Sequence, residues 1–188
     1  IISDEVYGRL YFEGEVAPSI LQVAEDADRV ISVNSFSKAW AMTGWRVGWL
    51  THPSGVADQL GAMTQYVNSG TAGPIQAGAN AAIRQGEPLV REIRQRIRTG
   101  LDLAYERLPR IPGIVLPDKP RGGMYAFFAI EGVDDARQAC ADILEKAHVG
   151  LAPGYLFGNS AAPFLRMCVF RDSAQIATAL DRMAEAMN

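Results

Sequence analysis

The sequence predicts an α/β chain in two parts, and three observations carry that reading. A β-branched run, Val30-Ile31-Ser32-Val33, stops at a polar, glycine-containing turn, as a parallel strand does when it reaches the ligand-binding end of an open sheet. From Leu89 to Leu108 apolar residues recur at helical intervals among arginines, which predicts one long amphipathic helix. Pro109 to Pro120 then packs four prolines and one glycine into a single stretch, and a second, smaller unit is expected to begin there.

Taken in order, Ile1 to Ser3 reads as a buried parallel strand that delivers Asp4, Glu5 and Tyr7 at its carboxyl end. Arg9 to Gly14 is a turn with a short extended piece, and Ala17-Pro18-Ser19 breaks into a short helical stretch around Leu21, Val23 and Ala24. Arg29 to Asn34 is the next strand, and Val47 to Leu50 another, ended by His52-Pro53. Val56, Leu60, Met63 and Val67 fall at helical spacing. Asn68 to Pro74 interrupts, and the alanine-rich Ile75 to Arg84 resumes helix. In the second part, Ile114–Leu116, Met124–Ile130, Val149–Ala152 and Phe164–Phe170 are strand-like. Helices are expected over Val133–Ala147 and Ser173–Ala186, the latter capped by Ser173.

Composition narrows the function. The chain has 188 residues, 48% hydrophobic and 21% charged, with a net charge of -3 and no basic block, so nothing argues for nucleic acid or an anionic membrane as partner. The arginines of the long helix (Arg91, Arg94, Arg96, Arg98) are interleaved with Glu92, Asp102 and Glu106, as on an ordinary solvated face. Cys140 and Cys168 are isolated and read as reduced core residues. His52 and His148 are too scattered for a metal cluster. No apolar run approaches a membrane span, and a cytoplasmic enzyme is the default. The opening on a strand without an initiator methionine leads us to expect a C-terminal fragment of a longer protein.

The chemistry centres on Ser35-Phe36-Ser37-Lys38-Ala39-Trp40-Ala41-Met42-Thr43-Gly44-Trp45-Arg46-Val47-Gly48, a lone lysine among hydroxyls with an arginine eight residues on. Such a turn sets an amine beside an anion site. The segment resembles the lysine segment of the class I/II aminotransferases, fold type I enzymes that use pyridoxal 5'-phosphate (PLP). The resemblance implies that Lys38 carries the cofactor as a Schiff base and acts as general base and acid, and that Ser35, Ser37 and Arg46 hold its phosphate. Asp4 and Tyr7, three residues apart, match the family's contacts to the pyridine nitrogen and the phenolic oxygen. A carboxylate there keeps the ring protonated and a better electron sink.

Arg166 sits in an apolar strand, where a charge needs a partner. The resemblance gives it the substrate's α-carboxylate, which a guanidinium fork grips better than an ammonium does; a solvent-facing edge arginine is the alternative. Gly122-Gly123-Met124-Tyr125 and Pro153-Gly154-Tyr155-Leu156-Phe157-Gly158 also match the family, with Tyr125 read as core packing. Arg171 next to Asp172 suits a surface pair or a helix cap. Thr71 is either a contact to a neighbouring subunit's cofactor or a helix-initiating hydroxyl.

The implied fold is the C-terminal part of the fold type I PLP-dependent large domain, a mainly parallel sheet with helices, over 1–86. A connecting helix follows over 87–109, then a small α+β C-terminal domain over 110–188. The implied function moves an amino group between an amino acid and a 2-oxo acid, in a homodimer with shared active sites. A lyase, decarboxylase or racemase of the same fold, or the PLP-binding domain of a transcription regulator, stays open. The chain lacks counterparts of the family's glycine phosphate loop, ring-stacking aromatic and tyrosine-side asparagine, so alone it is expected to be inactive.

Overall fold

The computed structural model describes residues 1–25 and 27–187. The chain divides into two compact units, Ile1–Arg94 and Gln95–Asn188. Each is described by itself.

The first unit is built on a three-stranded sheet in the order β1 (Ile2–Asp4), β2 (Ile31–Ser35), β3 (Gly48–Thr51). β1 runs parallel to β2 with Ile2 opposite Ile31, and β3 returns antiparallel with Gly48 opposite Ser35. Between β2 and β3 the chain makes the four-residue helix α1 (Phe36–Ala39) and a 3-10 turn at Thr43–Trp45. Helices α2 (Ala57–Asn68) and α3 (Gly73–Gln85) follow, and then α4 (Glu87–Arg107), which carries the division between the units. α3 starts without the help of Thr71: its N-cap is Ala72, which makes no side-chain capping bond, so the helix-initiating reading of that threonine is corrected.

One expectation of burial fails here. β1 was read as a buried strand, yet Ile1 and Ile2 are both 75% exposed. It is an edge strand hydrogen-bonded to β2 alone, with Ile2 and Asp4 exposed on one face and Ser3 half-buried on the other. The apolar stripe of α2 does form at helical spacing, but no α2 side chain is buried and Val67 is 79% exposed. An amphipathic pattern specifies a helix with a sticky face; it does not say what the face meets.

The start of α4 is fastened by charge. Glu87, in its first turn, pairs with Arg9, and Arg94 donates to the carbonyls of Tyr11 and Gly14. Arg94 is therefore a tether for the 9–14 segment, whereas the sequence put it on the solvated face. Other members of the helix behave as expected there: Asp102 pairs with Lys119, and Glu106 with Arg110.

The second unit holds a four-stranded antiparallel sheet, ordered β4 (Ile114–Val115), β5 (Tyr125–Ile130), β7 (Phe164–Cys168), β6 (Ala152–Pro153). Alternation sorts its two faces. Ala126, Phe128, Leu165 and Met167 are buried, whereas Tyr125, Phe127, Phe164 and Arg166 are half-buried on the other face. The core is completed by Ile97, Leu101, Ala104 and Leu108 from the end of α4 and the 3-10 turn after it. α5 (Ala136–Ala147) adds Cys140 and Ile143, and α6 (Ser173–Met187) adds Ile176, Leu180 and Met183. Cys168, read as a core residue, is exposed at the end of β7. The cap of α6 is Asp172 instead of Ser173: its carboxylate accepts the Ala174 N–H at 2.9 Å.

At Gly100 in α4 an added Cβ would lie 2.4 Å from the Val169 carbonyl oxygen, so the chain leaving β7 approaches the helix backbone to a distance only glycine permits. Gly100→Ala is expected to lower stability by about 1–2 kcal/mol net, the overpacking cost exceeding alanine's helix-propensity gain of about 1 kcal/mol. Urea unfolding that shows equal or greater stability in the variant contradicts this packing.

Candidate active site

The lysine turn is held from below by aromatic packing. Phe36, Met42 and Ala79 are buried together, with Trp40, Val47 and Ala82 against them. The rings of Phe36 and Trp40 lie 5.0 Å apart, and those of Phe36 and Trp49 5.2 Å apart at an interplanar angle of 65°. Two glycines seat the tryptophans. A Cβ at Gly78 of α3 would be 2.4 Å from the Trp45 ring, and one at Gly86 would be 2.7 Å from that of Trp40. An isolated glycine in the alanine-rich run was the readable sign of this close approach.

On that base the short α1 presents its hydroxyls. Ser35 caps it, accepting the Ser37 N–H at 3.1 Å, and the two hydroxyl oxygens lie 2.9 Å apart in a hydrogen bond. Thr43 Oγ1 donates to the Ser37 carbonyl at 3.1 Å and ties the far side of the turn to α1. Arg46 is in the left-handed region (φ 53°, ψ 51°), and its side chain is exposed, with one guanidinium nitrogen donating to the Thr43 carbonyl at 3.1 Å. The remaining guanidinium N–H groups are left for another acceptor.

Lys38 is half-buried, and its Nζ lies 5.9 Å from the centroid of the Tyr7 ring. The residues that open and close this part of the chain are thus brought together. Asp4 is exposed at the end of β1, opposite Val33, and its carboxylate accepts the Val6 N–H at 3.1 Å.

Glu5, to which the sequence gave a place at the end of β1 but no role, organises the turn beneath Asp4. Its carboxylate accepts from Ser19 Oγ at 2.8 Å, the Ile20 N–H at 3.0 Å and Ser3 Oγ at 3.1 Å. Burial pushes the Glu5 carboxyl up, but the hydrogen bonds from Ser19, Ile20, Ser3 and Ser32 outweigh it and hold the group below its ordinary value of 4.5.

In the second unit, Arg166 is opposite Phe127 on β5 and Ala152 on β6. Its guanidinium carbon sits 4.0 Å from the centroid of Tyr125 and 4.0 Å from that of Phe157. Phe157 is itself edge-on to Phe127 at 6.3 Å, and Phe127 stacks on Phe164 at 4.8 Å. Aromatic rings accommodate the Arg166 cation within the chain. Its N–H donors make no hydrogen bond among the described residues, and a planar guanidinium fork is a donor set that a carboxylate accepts. Tyr125, read as packing, is one of the two rings.

The sequence model of the family described as "Aminotransferase class I and II" matches residues 1–183. The chain belongs to that family. An arginine–pyruvate transaminase of Pseudomonas aeruginosa is 36% identical over 186 residues, covering 98% of this chain and 47% of its own. An aspartate aminotransferase of Musicola paradisiaca is 33% identical over 190 residues, covering 100% and 47%. The crystal structure of an aromatic aminotransferase from Pyrococcus horikoshii superposes with a TM-score of 0.89 at 29% identity, covering 98% of this chain and 50% of that one. The chain spans about half the length of the curated relatives it matches. The fold type I expectation is borne out, and with it the α/β character of the chain.

Because its pKa is depressed in the folded state, Glu5 contributes stability that is present above about pH 4.5 and lost as pH falls through the folded value. Glu5→Gln is expected to cost about 1 kcal/mol at pH 7, less than the roughly 1.5–3 kcal/mol of buried charged hydrogen bonds because the carboxylate is partly in water. The difference from the unmodified chain should shrink in denaturant titrations as pH falls below about 5 and through the folded value. A difference independent of pH rules the carboxylate's role out.

Proposed function

We propose that this chain carries the lysine-bearing part of a PLP-dependent aminotransferase, acting between an amino acid and a 2-oxo acid. The observation that carries the reading is the turn Ser35–Gly48, which gathers two linked hydroxyls, an arginine with free donors and Lys38 beside Tyr7. These donors fit PLP chemically. Two hydroxyls and a guanidinium suit a phosphate dianion, an exposed carboxylate suits a ring nitrogen that must stay protonated, and an amine suits the aldehyde carbon. That the relatives are named transaminases supports amino-group transfer over the lyase, decarboxylase, racemase and regulator alternatives.

When bound, PLP supplies the electron sink for the substrate's Cα electrons. The remaining work belongs to the chain. Ser35, Ser37 and Arg46 bind the phosphate and fix the cofactor's position. Asp4 keeps the ring nitrogen protonated, and Tyr7 donates to the ring oxygen. Lys38, once its amine is free, would take the proton from substrate Cα as general base and deliver it as general acid to the cofactor's C4' carbon. Arg166, steered by Tyr125 and Phe157, binds the substrate's α-carboxylate edge-on. The same reading carries a cytoplasmic homodimer with shared active sites. The uncovered stripe of α2 supports the dimer, and among the described residues no helix is long and apolar enough to cross a membrane. With half the length of its relatives, the chain alone is expected to bind PLP weakly and to show no turnover with a panel of amino donors.

Incubation with PLP, borohydride reduction and peptide mass mapping should give covalent attachment at Lys38 and none in Lys38→Ala; attachment that persists in the variant sinks the assignment. Arg46→Gln should weaken PLP binding about tenfold, as expected for losing one charge-assisted contact of roughly 1.5 kcal/mol. Unchanged affinity would remove Arg46 from the phosphate site.

A further inference from the structure

A second cleft, of about 500 Å³, lies wholly within the second unit. The segment after α5, the end of β7 and one face of α6 form it. Its apolar lining comes from Val149, Met167 and Ile176, which are buried, and its polar lining includes His148, Arg171 and Arg182. No aspartate or glutamate is among the lining residues. On α6 the residues that face it, Gln175, Thr178 and Arg182, are three and four apart and so form one helical stripe.

Two of the nearby acids have partners of their own: Asp172 caps α6 through the Ala174 N–H, and Asp181 pairs with Arg107 at 2.9 Å. Glu185 lines an adjoining hollow together with Lys146, His148 and Arg182. Neither Arg171 nor Arg182 makes a hydrogen bond or ion pair among the described residues. His148, held in the left-handed conformation (φ 55°) that ends α5, offers a ring N–H donor in either protonation state.

We propose that this cleft binds a small amphipathic anion, an apolar or aromatic body bearing one phosphate or carboxylate. A buried apolar floor gains from covering the body, while two unpaired guanidinium groups and an imidazole at the rim match the charge. Neither part is sufficient. The apolar patch is too small to hold a ligand tightly by itself, and exposed cations bind a bare anion weakly because both are well solvated. The site is independent of the lysine turn and does not rest on the transaminase reading.

The test is a 15N NMR titration of the 188-residue chain with phenyl phosphate, benzyl alcohol and inorganic phosphate in turn. Phenyl phosphate should shift the amides of Gly150, Ala174 and Gln175 saturably, with a Kd below about 1 mM, and the other two probes should bind at least tenfold more weakly. The double variant Arg171→Gln/Arg182→Gln should weaken phenyl phosphate at least tenfold. Equal binding of benzyl alcohol, equal binding of inorganic phosphate, or no saturation by about 10 mM overturns the proposal. So do shifts centred on Ser35 to Gly48, which would report the phosphate site of the lysine turn instead. The probe comparison needs only the unmodified chain, so it decides the matter even where the double variant folds poorly.

Discussion

The closure of one loop governs the first unit. β2 and β3 must be brought side by side on either side of the lysine turn, and they meet where Gly48 lies against Asn34: a Cβ on residue 48 would stand 2.4 Å from the Asn34 carbonyl oxygen. From that contact follow the Ser35–Gly48 pairing and the Phe36 N–H to Val47 carbonyl bond at 3.2 Å. With its ends closed, the intervening chain bulges out as a short helix, and its hydroxyls and amine are held in a fixed arrangement, Ser37 buried and Ser35 and Lys38 half-buried. Closing a loop of this length costs entropy that backbone bonds alone repay poorly. The aromatic cluster beneath it, Phe36 with Trp40 and Trp49, supplies the burial that offsets it.

Arginine is handled in several ways across the chain, and the contrast shows how context decides what a guanidinium does. Arg94 spends its donors on backbone carbonyls of the 9–14 segment. Arg107 makes an ordinary half-exposed pair with Asp181, of the kind worth at most about 1 kcal/mol. Arg166 is flanked by rings, which leaves its donors unspent. All three sit in stretches that look alike in one dimension, cations among apolar residues.

That contrast also explains how far the sequence could be read. Local chemistry was legible: the hydroxyl–lysine–arginine spacing led to the turn, helical period led to α4, and the proline-rich break lay just after it. The length of each strand was less legible, because hydrogen-bonded pairing depends on what the opposite strand offers. Residues 149–151 and 169–170 read as strand and lie outside β6 and β7. Least legible were contacts made over long separations. Glu5 meets Ser19 only because the chain doubles back, and Phe157 reaches Arg166 only because β6 and β7 are neighbours. The burial of β1 was misjudged for a related reason, since hydrophobicity records an appetite for contact without naming the partner.

The backbone at Arg46 has a consequence of another kind. Its left-handed conformation is one that glycine adopts freely and a branched, Cβ-bearing side chain tolerates at a cost of about 1 kcal/mol or more. A search for stabilising substitutions would therefore favour glycine at residue 46, and the folded chain would gain by it. The gain would remove the one guanidinium in the turn. Thermal robustness and anion binding pull this position in opposite directions, so a variant library ranked by melting temperature would discard the residue that an affinity screen would keep.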